Sequence, residues 1–303
     1  MSQPATLTAC VLLLVQPAFA AGRYPPKLDD AERHEYKRVD DISLNLYVFK
    51  PEMESDESRP AIVFFFGGGW SSGSPEQFAP HCRYLASRGM VAIAADYRVA
   101  KRHGVKAVDC VRDAKSAIRW VRQHADELGI DPDRIVAAGG SAGGHLAACT
   151  ANLKDFDEAK EDASISSRPS ALVLFNPVLS FVPDDPAKID RRIKGFAKRT
   201  GVEPKQLSPA HNIAADAPPT LVLVGTEDYV ADGIKQFAAG MKSADRPCEV
   251  KWYEGRAHGF FNPNRGREDH LATMEDMDRF LNSLDYVEGP PTVMEFFKDD
   301  NLR

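Results

Sequence analysis

The chain has 303 residues with a formal net charge of −6, 43% hydrophobic and 27% charged residues, a composition that excludes a disordered or fibrous polymer. Its length admits one large α/β domain or two smaller ones. Arg191-Arg192 and Lys198-Arg199 lie within a mixed-charge stretch and no longer basic run exists, so the footprint that nucleic-acid phosphates require is missing.

In chain order, residues 7–15 form an apolar run, followed by Pro17 and by Ala18-Phe19-Ala20, a small-x-small site before Ala21. Residues 1–20 therefore read as an export leader, which sets the expectation of a periplasmic or extracellular protein. The basic segment usual in such leaders is absent, because residues 1–8 carry no Lys or Arg. Leu7-Thr8-Ala9-Cys10 has the look of a lipoprotein box, but the apolar run follows Cys10 instead of preceding it. The run is shorter than the roughly 20 residues of a membrane span, so no stable membrane insertion is expected. Residues 21–303 then form a single domain. Its four cysteines, Cys82, Cys110, Cys149 and Cys248, are an even number that permits disulfides in an exported chain. Cys82, Cys110 and Cys149, however, fall in helical patterns and read as small buried hydrophobes with free thiols, and no CxxC or Cys/His spacing calls for a metal.

Residues 36–39 and 43–49 read as a hairpin around Asp40-Asp41. From Pro60 onward, short apolar runs at 61–66, 91–95, 135–138, 171–175 and 220–224 read as strands covered on both faces, with 249–253 as a sixth. Between them, Phe78, Cys82 and Leu85 share a helical face, as do Val111, Ala114, Ile118 and Val121, and Ile234, Phe237 and Met241. Such alternation predicts a doubly wound, mostly parallel α/β sheet. A charged, Pro-bearing stretch at about 183–209, with a helical pattern at 189–197, breaks the alternation and is expected to form a small lid. The tail from Gly289 onward is expected on the surface.

Gly139-Gly140-Ser141-Ala142-Gly143 follows the strand at 135–138 and precedes a helical run at 142–153. In that context a GxSxG pattern reads as a nucleophile elbow: a strained turn that projects Ser141 above the sheet at a helix N-terminus. Gly67-Gly68-Gly69 follows the first central strand, where free backbone N–H groups can face a substrate oxygen. A phosphate-binding loop is excluded there by the missing GxxxxGK[ST] lysine. Among eight histidines, His258 follows the last strand, and Asp228 lies just past the strand at 220–224. Both stand at C-terminal strand ends, the ligand-binding edge of such sheets. His145, one helical turn after Ser141, reads as a packing residue; His211 lies at the lid exit, and Glu227 is expected to point away from the site.

These blocks, with Asp96-Tyr97-Arg98, Asp131-Pro132-Asp133-Arg134 and Ser208-Pro209, resemble the bacterial acetyl esterase and feruloyl esterase branch of the α/β-hydrolases, close to the hormone-sensitive-lipase-like enzymes. The resemblance spans about 60–284. It implies an α/β-hydrolase fold and a cofactor-free serine esterase, with Ser141 as nucleophile, His258 as base, Asp228 as the third triad member, and an oxyanion hole from the amides of Gly67, Gly68 and Ala142. A small-molecule or carbohydrate ester is the implied substrate; Trp70 and Phe181 read either as aromatics that shape its pockets, Trp70 being the substrate-binding candidate, or as plain core packing. Two positions depart from the family: Phe66 replaces the usual histidine before the glycines, and Gly140 stands where the lipase-like branch carries an acid. A serine exopeptidase or aryl-formamide hydrolase on the same fold, and a catalytically silent binding protein, are the alternative readings.

Overall fold

In the computed structural model, residues 24–52, 57–182, 184–185 and 189–298 are described. The leader reading at 1–20 and the end of the tail lie outside them. Eight strands form one sheet: β1 (Glu32–Val39), β2 (Ile42–Phe49), β3 (Arg59–Phe65), β4 (Val91–Ala95), β5 (Ile130–Gly140), β6 (Ala171–Phe175), β7 (Thr220–Gly225) and β8 (Cys248–Tyr253). Their spatial order is β1-β2-β4-β3-β5-β6-β7-β8, with β1 and β2 the antiparallel hairpin at one edge and all pairings from β4 onward parallel.

Strand periodicity sorts side chains onto two cores. Ala61, Val63 and Phe65 of β3 face α3 (Ala107–Gln123), α5 (Ala142–Asn152) and α7 (Ala231–Ser243), while Ile62 and Phe64 face α1 (Ala79–Ser87) and α8 (Arg267–Ser283). The helical faces read from spacing are the ones buried: Val111, Ala114, Ile118 and Val121 on α3, and Ile234, Phe237 and Met241 on α7. Full burial of each large apolar side chain contributes about 1.5–3 kcal/mol. The short helices α2 (Ala100–His103), α4 (Ala125–Leu128) and α9 (Val293–Phe296) flank these layers, and α6 (Arg191–Ala197) lies in the stretch that breaks the alternation.

Two elements differ from the sequence reading. β5 begins at Ile130, five residues early, because Ile130 pairs with Arg59 before a register shift. Helix α8 was not anticipated, although Leu271, Met274, Met277 and Leu281 recur at helical spacing and are buried. Its Asp278 accepts from Tyr84 (2.5 Å) and Arg88 (2.8 Å), which fastens it to α1.

Behind the sheet's ligand-binding edge, His81 and His270 meet edge to face at 5.1 Å. Phe64, Phe78, Phe175 and Phe261 pack around His81, and neither of its ring nitrogens has a partner among the described residues. Desolvation lowers the pKa of both histidines below the usual value. The native state therefore holds them neutral and binds fewer protons than the unfolded chain. Stability is fully present above pH of about 6.5 and is lost as the pH falls, by up to about 1.4 kcal/mol per unit for each histidine. Thermal melts from pH 8 to pH 5 should show a falling Tm, and His81→Leu should flatten that acid limb.

Candidate active site

The parallel register brings the C-terminal ends of five strands to one edge. Phe65 pairs with Gly139, Gly140 with Phe175, Phe175 with Leu223, and Gly225 with Tyr253. The loops that leave these ends carry Gly67, Ser141, Asn176, Asp228 and His258 into one cleft.

Ser141 sits between β5 and α5 with φ 54° and ψ −114°, a strained conformation for a residue with a side chain. Its amide donates to the Phe175 carbonyl at 2.8 Å, and its carbonyl accepts from His145 at 3.0 Å. Flanking glycines make the turn possible. A Cβ on Gly143 would lie 1.9 Å from the Phe65 carbonyl oxygen, and one on Gly139 would lie 2.6 Å from the same atom. Gly140 has a different constraint: a Cβ there would lie 2.6 Å from the Phe261 ring, so the acid carried by the lipase-like branch has no room.

His258 Nε2 stands 2.8 Å from Ser141 Oγ, and His258 Nδ1 stands 2.9 Å from each carboxylate oxygen of Asp228. The Asp228 side chain is fully buried and also accepts from the Val230 amide at 3.1 Å. The three residues selected from sequence are thus brought within hydrogen-bond reach of one another. Glu227 is exposed. His145 is buried and packs as expected: Nδ1 accepts from the Trp70 indole at 3.2 Å and Nε2 donates to the Leu207 carbonyl at 2.8 Å, while burial lowers its pKa to about 4. His211 pairs with Gln236 at 3.3 Å.

The glycine loop differs from expectation at two residues. The Gly67 amide donates to Gln77 Oε1 at 2.6 Å, so it is already engaged. Gly68 and Gly69, at φ 124° and 60°, have no amide acceptor among the described residues, and Ala142 is the first residue of α5, where helix geometry leaves the N–H without an internal partner. Trp70 is buried and is not among the residues lining the cavities beside Asp228 or beside the glycine loop. Its φ of 57° turns the indole back under the loop against His145, Phe181 and Phe196, at ring distances of 5.0–5.4 Å. Phe181 is buried with it, and both serve packing. The Phe66 departure also resolves: its ring stacks on Tyr97 at 4.1 Å, and the Tyr97 hydroxyl donates to the Phe66 carbonyl at 2.7 Å, which braces the loop without a histidine.

Helix α6 lies above this edge. Asp190 caps it by accepting from the Arg192 amide at 2.7 Å, and Phe196 comes within 3.4 Å of where a Cβ on Gly69 would stand. Tyr229, which the sequence reading passed over, packs on His258 with the rings tilted and their centroids 4.5 Å apart, and its hydroxyl interacts with that of Ser141. Arg192 covers the Tyr229 ring at 3.8 Å. Burial and the Asp228 charge raise the Tyr229 pKa to about 12, so the phenol stays protonated. A cavity of about 460 Å³ opens beside Asp228 and Tyr229 under α6, lined by polar groups including Ser180, Asp190, Thr226 and Lys235. On the other side of the glycine loop, a cleft of about 830 Å³ is bounded by Gly67, Gly68, Gln77 and Asn262. Chemically, an imidazole held on one nitrogen by a buried carboxylate can take a hydroxyl proton at the other, while nearby amides are free to receive negative charge.

A family model described as the alpha/beta hydrolase fold matches residues 62–262. The chain is 33% identical over 211 residues to the probable carboxylic ester hydrolase LipM of Mycobacterium tuberculosis, covering 66% of this chain and 47% of that protein. It is 28% identical over 282 residues to the probable isoprenylcysteine alpha-carbonyl methylesterase ICMEL1 of Arabidopsis thaliana, covering 86% of this chain and 59% of that protein. The chain thus spans about half to three-fifths of the length of these curated relatives. Among solved structures, Thermogutta terrifontis esterase 2 phosphonylated by sarin matches with a TM-score of 0.83 and 50% identity, over 88% of this chain and 99% of that one. The propionate-bound form of that esterase matches with a TM-score of 0.81 and 51% identity, over the same shares of the two chains. This chain belongs to the alpha/beta hydrolase fold family, and the relatives it resembles are carboxylic ester hydrolases.

Proposed function

We propose that this protein is a serine carboxylic ester hydrolase that cleaves short-chain esters through an acyl-enzyme on Ser141. The observation that carries this reading is the relay from Asp228 through His258 to Ser141, at 2.9 and 2.8 Å, on a strained elbow beside a glycine loop. His258 takes the Ser141 proton as Oγ attacks the ester carbonyl. Asp228 holds the imidazole tautomer and stabilises the imidazolium that forms. The oxyanion is received by the amides of Gly68, Gly69 and Ala142, since Gly67 is engaged with Gln77. His258 then protonates the leaving alcohol, and water repeats the sequence on the acyl-enzyme.

The substrate class we propose is an acetyl or other short acyl ester of a hydroxylated alcohol such as a carbohydrate, with feruloyl esters as the larger acyl alternative. Support comes from the polar lining of the cavity beside Asp228, where hydroxyls find partners. It also comes from the esterase of Thermogutta terrifontis, whose structures hold propionate and butyrate. Helix α6 and the residues just before it act as a lid over that cavity, through Ile189, Asp190, Arg192 and Ile193. The apolar run and small-x-small site at the N-terminus support export, so that such a polymer would be met outside the cytoplasm. Hydrolysis of p-nitrophenyl esters of graded acyl length tests the reading. The kcat/KM is expected to be highest with two to four acyl carbons and at least about tenfold lower at eight. A preference for eight carbons or more overturns the short-acyl assignment. Inactivity of the folded protein on every ester overturns the activity itself.

A further inference from the structure

The two loops that flank Ser141 come from distant parts of the chain, yet they are fastened to each other by side chains outside the relay. Gln77 ends the turn after the glycine loop, in a short 3-10 segment (Pro75–Phe78) capped by Ser74. Its side chain bends back so that Oε1 accepts from the Gly67 amide at 2.6 Å. Its Nε2 donates to Asn262 Oδ1 at 2.8 Å, across 185 residues of sequence. Asn262 Nδ2 in turn donates to the Gly259 carbonyl at 2.8 Å, one residue past His258. On the inner side, the Gly259 amide donates to Asn176 Oδ1 at 3.2 Å.

The side-chain amides of Gln77 and Asn262 each give and accept, so their orientations are determined. A flipped Gln77 would set its NH₂ against the Gly67 N–H and its oxygen against Asn262 Oδ1, losing both bonds. A carboxylate at 77 keeps the first bond and cannot make the second. The hydrogen bonds of Gln77 and Asn262 reach neither Ser141 nor His258, and both residues line the cleft beside the glycine loop.

We propose that Gln77 and Asn262 are positioning residues: a strap that holds the oxyanion loop and the histidine loop at a constant separation across the cleft. The inference rests on the proposed role of Ser141 and His258, because a constant separation matters only if proton transfer and oxyanion binding occur on opposite walls. Misplacement of groups by about 1 Å from a site outside the chemistry costs on the order of 100-fold in rate.

The test uses the full chain with Gln77→Ala, Asn262→Ala, Gln77→Glu and the double alanine variant. Its readouts are kcat and KM on p-nitrophenyl acetate, and deuterium uptake by the peptides that hold residues 66–69 and 258–262. Each alanine variant should lower kcat about 10- to 100-fold with KM changed by less than about threefold. The double variant should be about as slow as the slower single one, because the two residues act as one unit. Asn262→Ala should raise exchange in 66–69, a loop it does not contact, while Gln77→Glu should keep more of that protection than Gln77→Ala.

Unchanged kcat, exchange confined to each variant's own loop, or additive losses would overturn the strap. So would a rise in kcat in Gln77→Ala, which would mean that the freed Gly67 amide is the better oxyanion donor. Loss of folding in Gln77→Ala leaves Asn262→Ala and Gln77→Glu to decide. A wild-type protein inactive on every ester would instead defeat the proposed function, and the exchange coupling between the loops would still report on the strap.

Discussion

Ser141→Ala is expected to abolish ester hydrolysis, with kcat falling by about 10⁴- to 10⁶-fold and KM changing little. Removing one oxygen leaves His258 and Asp228 in place but with no nucleophile to activate, and water must then attack from a position the site was not built to hold. The elbow itself should survive, because its conformation depends on the flanking glycines and on backbone bonds such as that from the Ser141 amide to Phe175 at 2.8 Å. The variant should therefore melt close to wild type, which separates chemistry from folding. A fluorophosphonate probe gives a second reading: one adduct per wild-type chain and none in Ser141→Ala. Asp228→Asn should still be labelled, far more slowly, with a rate loss of about 10⁴-fold through the wrong imidazole tautomer. Activity in Ser141→Ala within tenfold of wild type would mean that another group does the chemistry.

The largest expected effect on stability is at Gly143. Its added Cβ would lie 1.9 Å from the Phe65 carbonyl oxygen and 2.5 Å from that of Phe66, which are backbone atoms with no rotamer to change. Helix α5 can accommodate Gly143→Ala only by moving off β3. That movement opens the core between Ala61, Val63 and Phe65 on one side and Leu146 and Ala147 on the other. A loss of at least about 3 kcal/mol is expected, corresponding to a Tm decrease of at least roughly 5 °C for a chain of this size. Gly195→Ala is the matched control. A Cβ on Gly195 of α6 meets nothing within 4 Å, so the helix-propensity gain of about 0.5–1 kcal/mol should appear undiminished. Chemical unfolding of the two variants beside wild type checks both. A Gly143→Ala protein as stable as wild type would show that the elbow has slack the close approach does not suggest.

Much of this protein was determined locally and was legible in its sequence. Five apolar runs became central parallel strands because a strand buried on both faces has no position for a polar side chain, and a continuous run is the only pattern that satisfies it. Ser141 was identifiable because the elbow requires small residues on both sides of the serine within one strand–turn–helix unit. Asp228 and His258 followed from the same logic one level up, since parallel strands place all their C-terminal ends at one edge. Even helix α6 was visible in the stretch that breaks the alternation, starting at Arg191 behind its Asp190 cap instead of at 189. Whether Trp70 packs or shapes a pocket was not legible, because direction is not written in spacing: at φ 57° the indole packs against His145, Phe181 and Phe196, and its N–H is taken by His145.

Only the tertiary structure decided the rest, and in each case the reason is a contact between segments far apart in the chain. The Gly67 amide is engaged by Gln77, whose own partner Asn262 lies 185 residues away. Gly140 excludes an acid because Phe261 from the histidine loop fills the space beside it. Phe66 does without the family histidine because Tyr97, brought alongside by the β3–β4 register, stacks on it and bonds its carbonyl. Tyr229 joins the site because Arg192 of α6 and His258 of the last loop both pack on its ring. Backbone preference and hydrophobic period act over a few residues and so can be read along the chain. Which amide is free, which ring faces a cavity and which loop is tied to which depend on three-dimensional neighbours, and no local pattern records them.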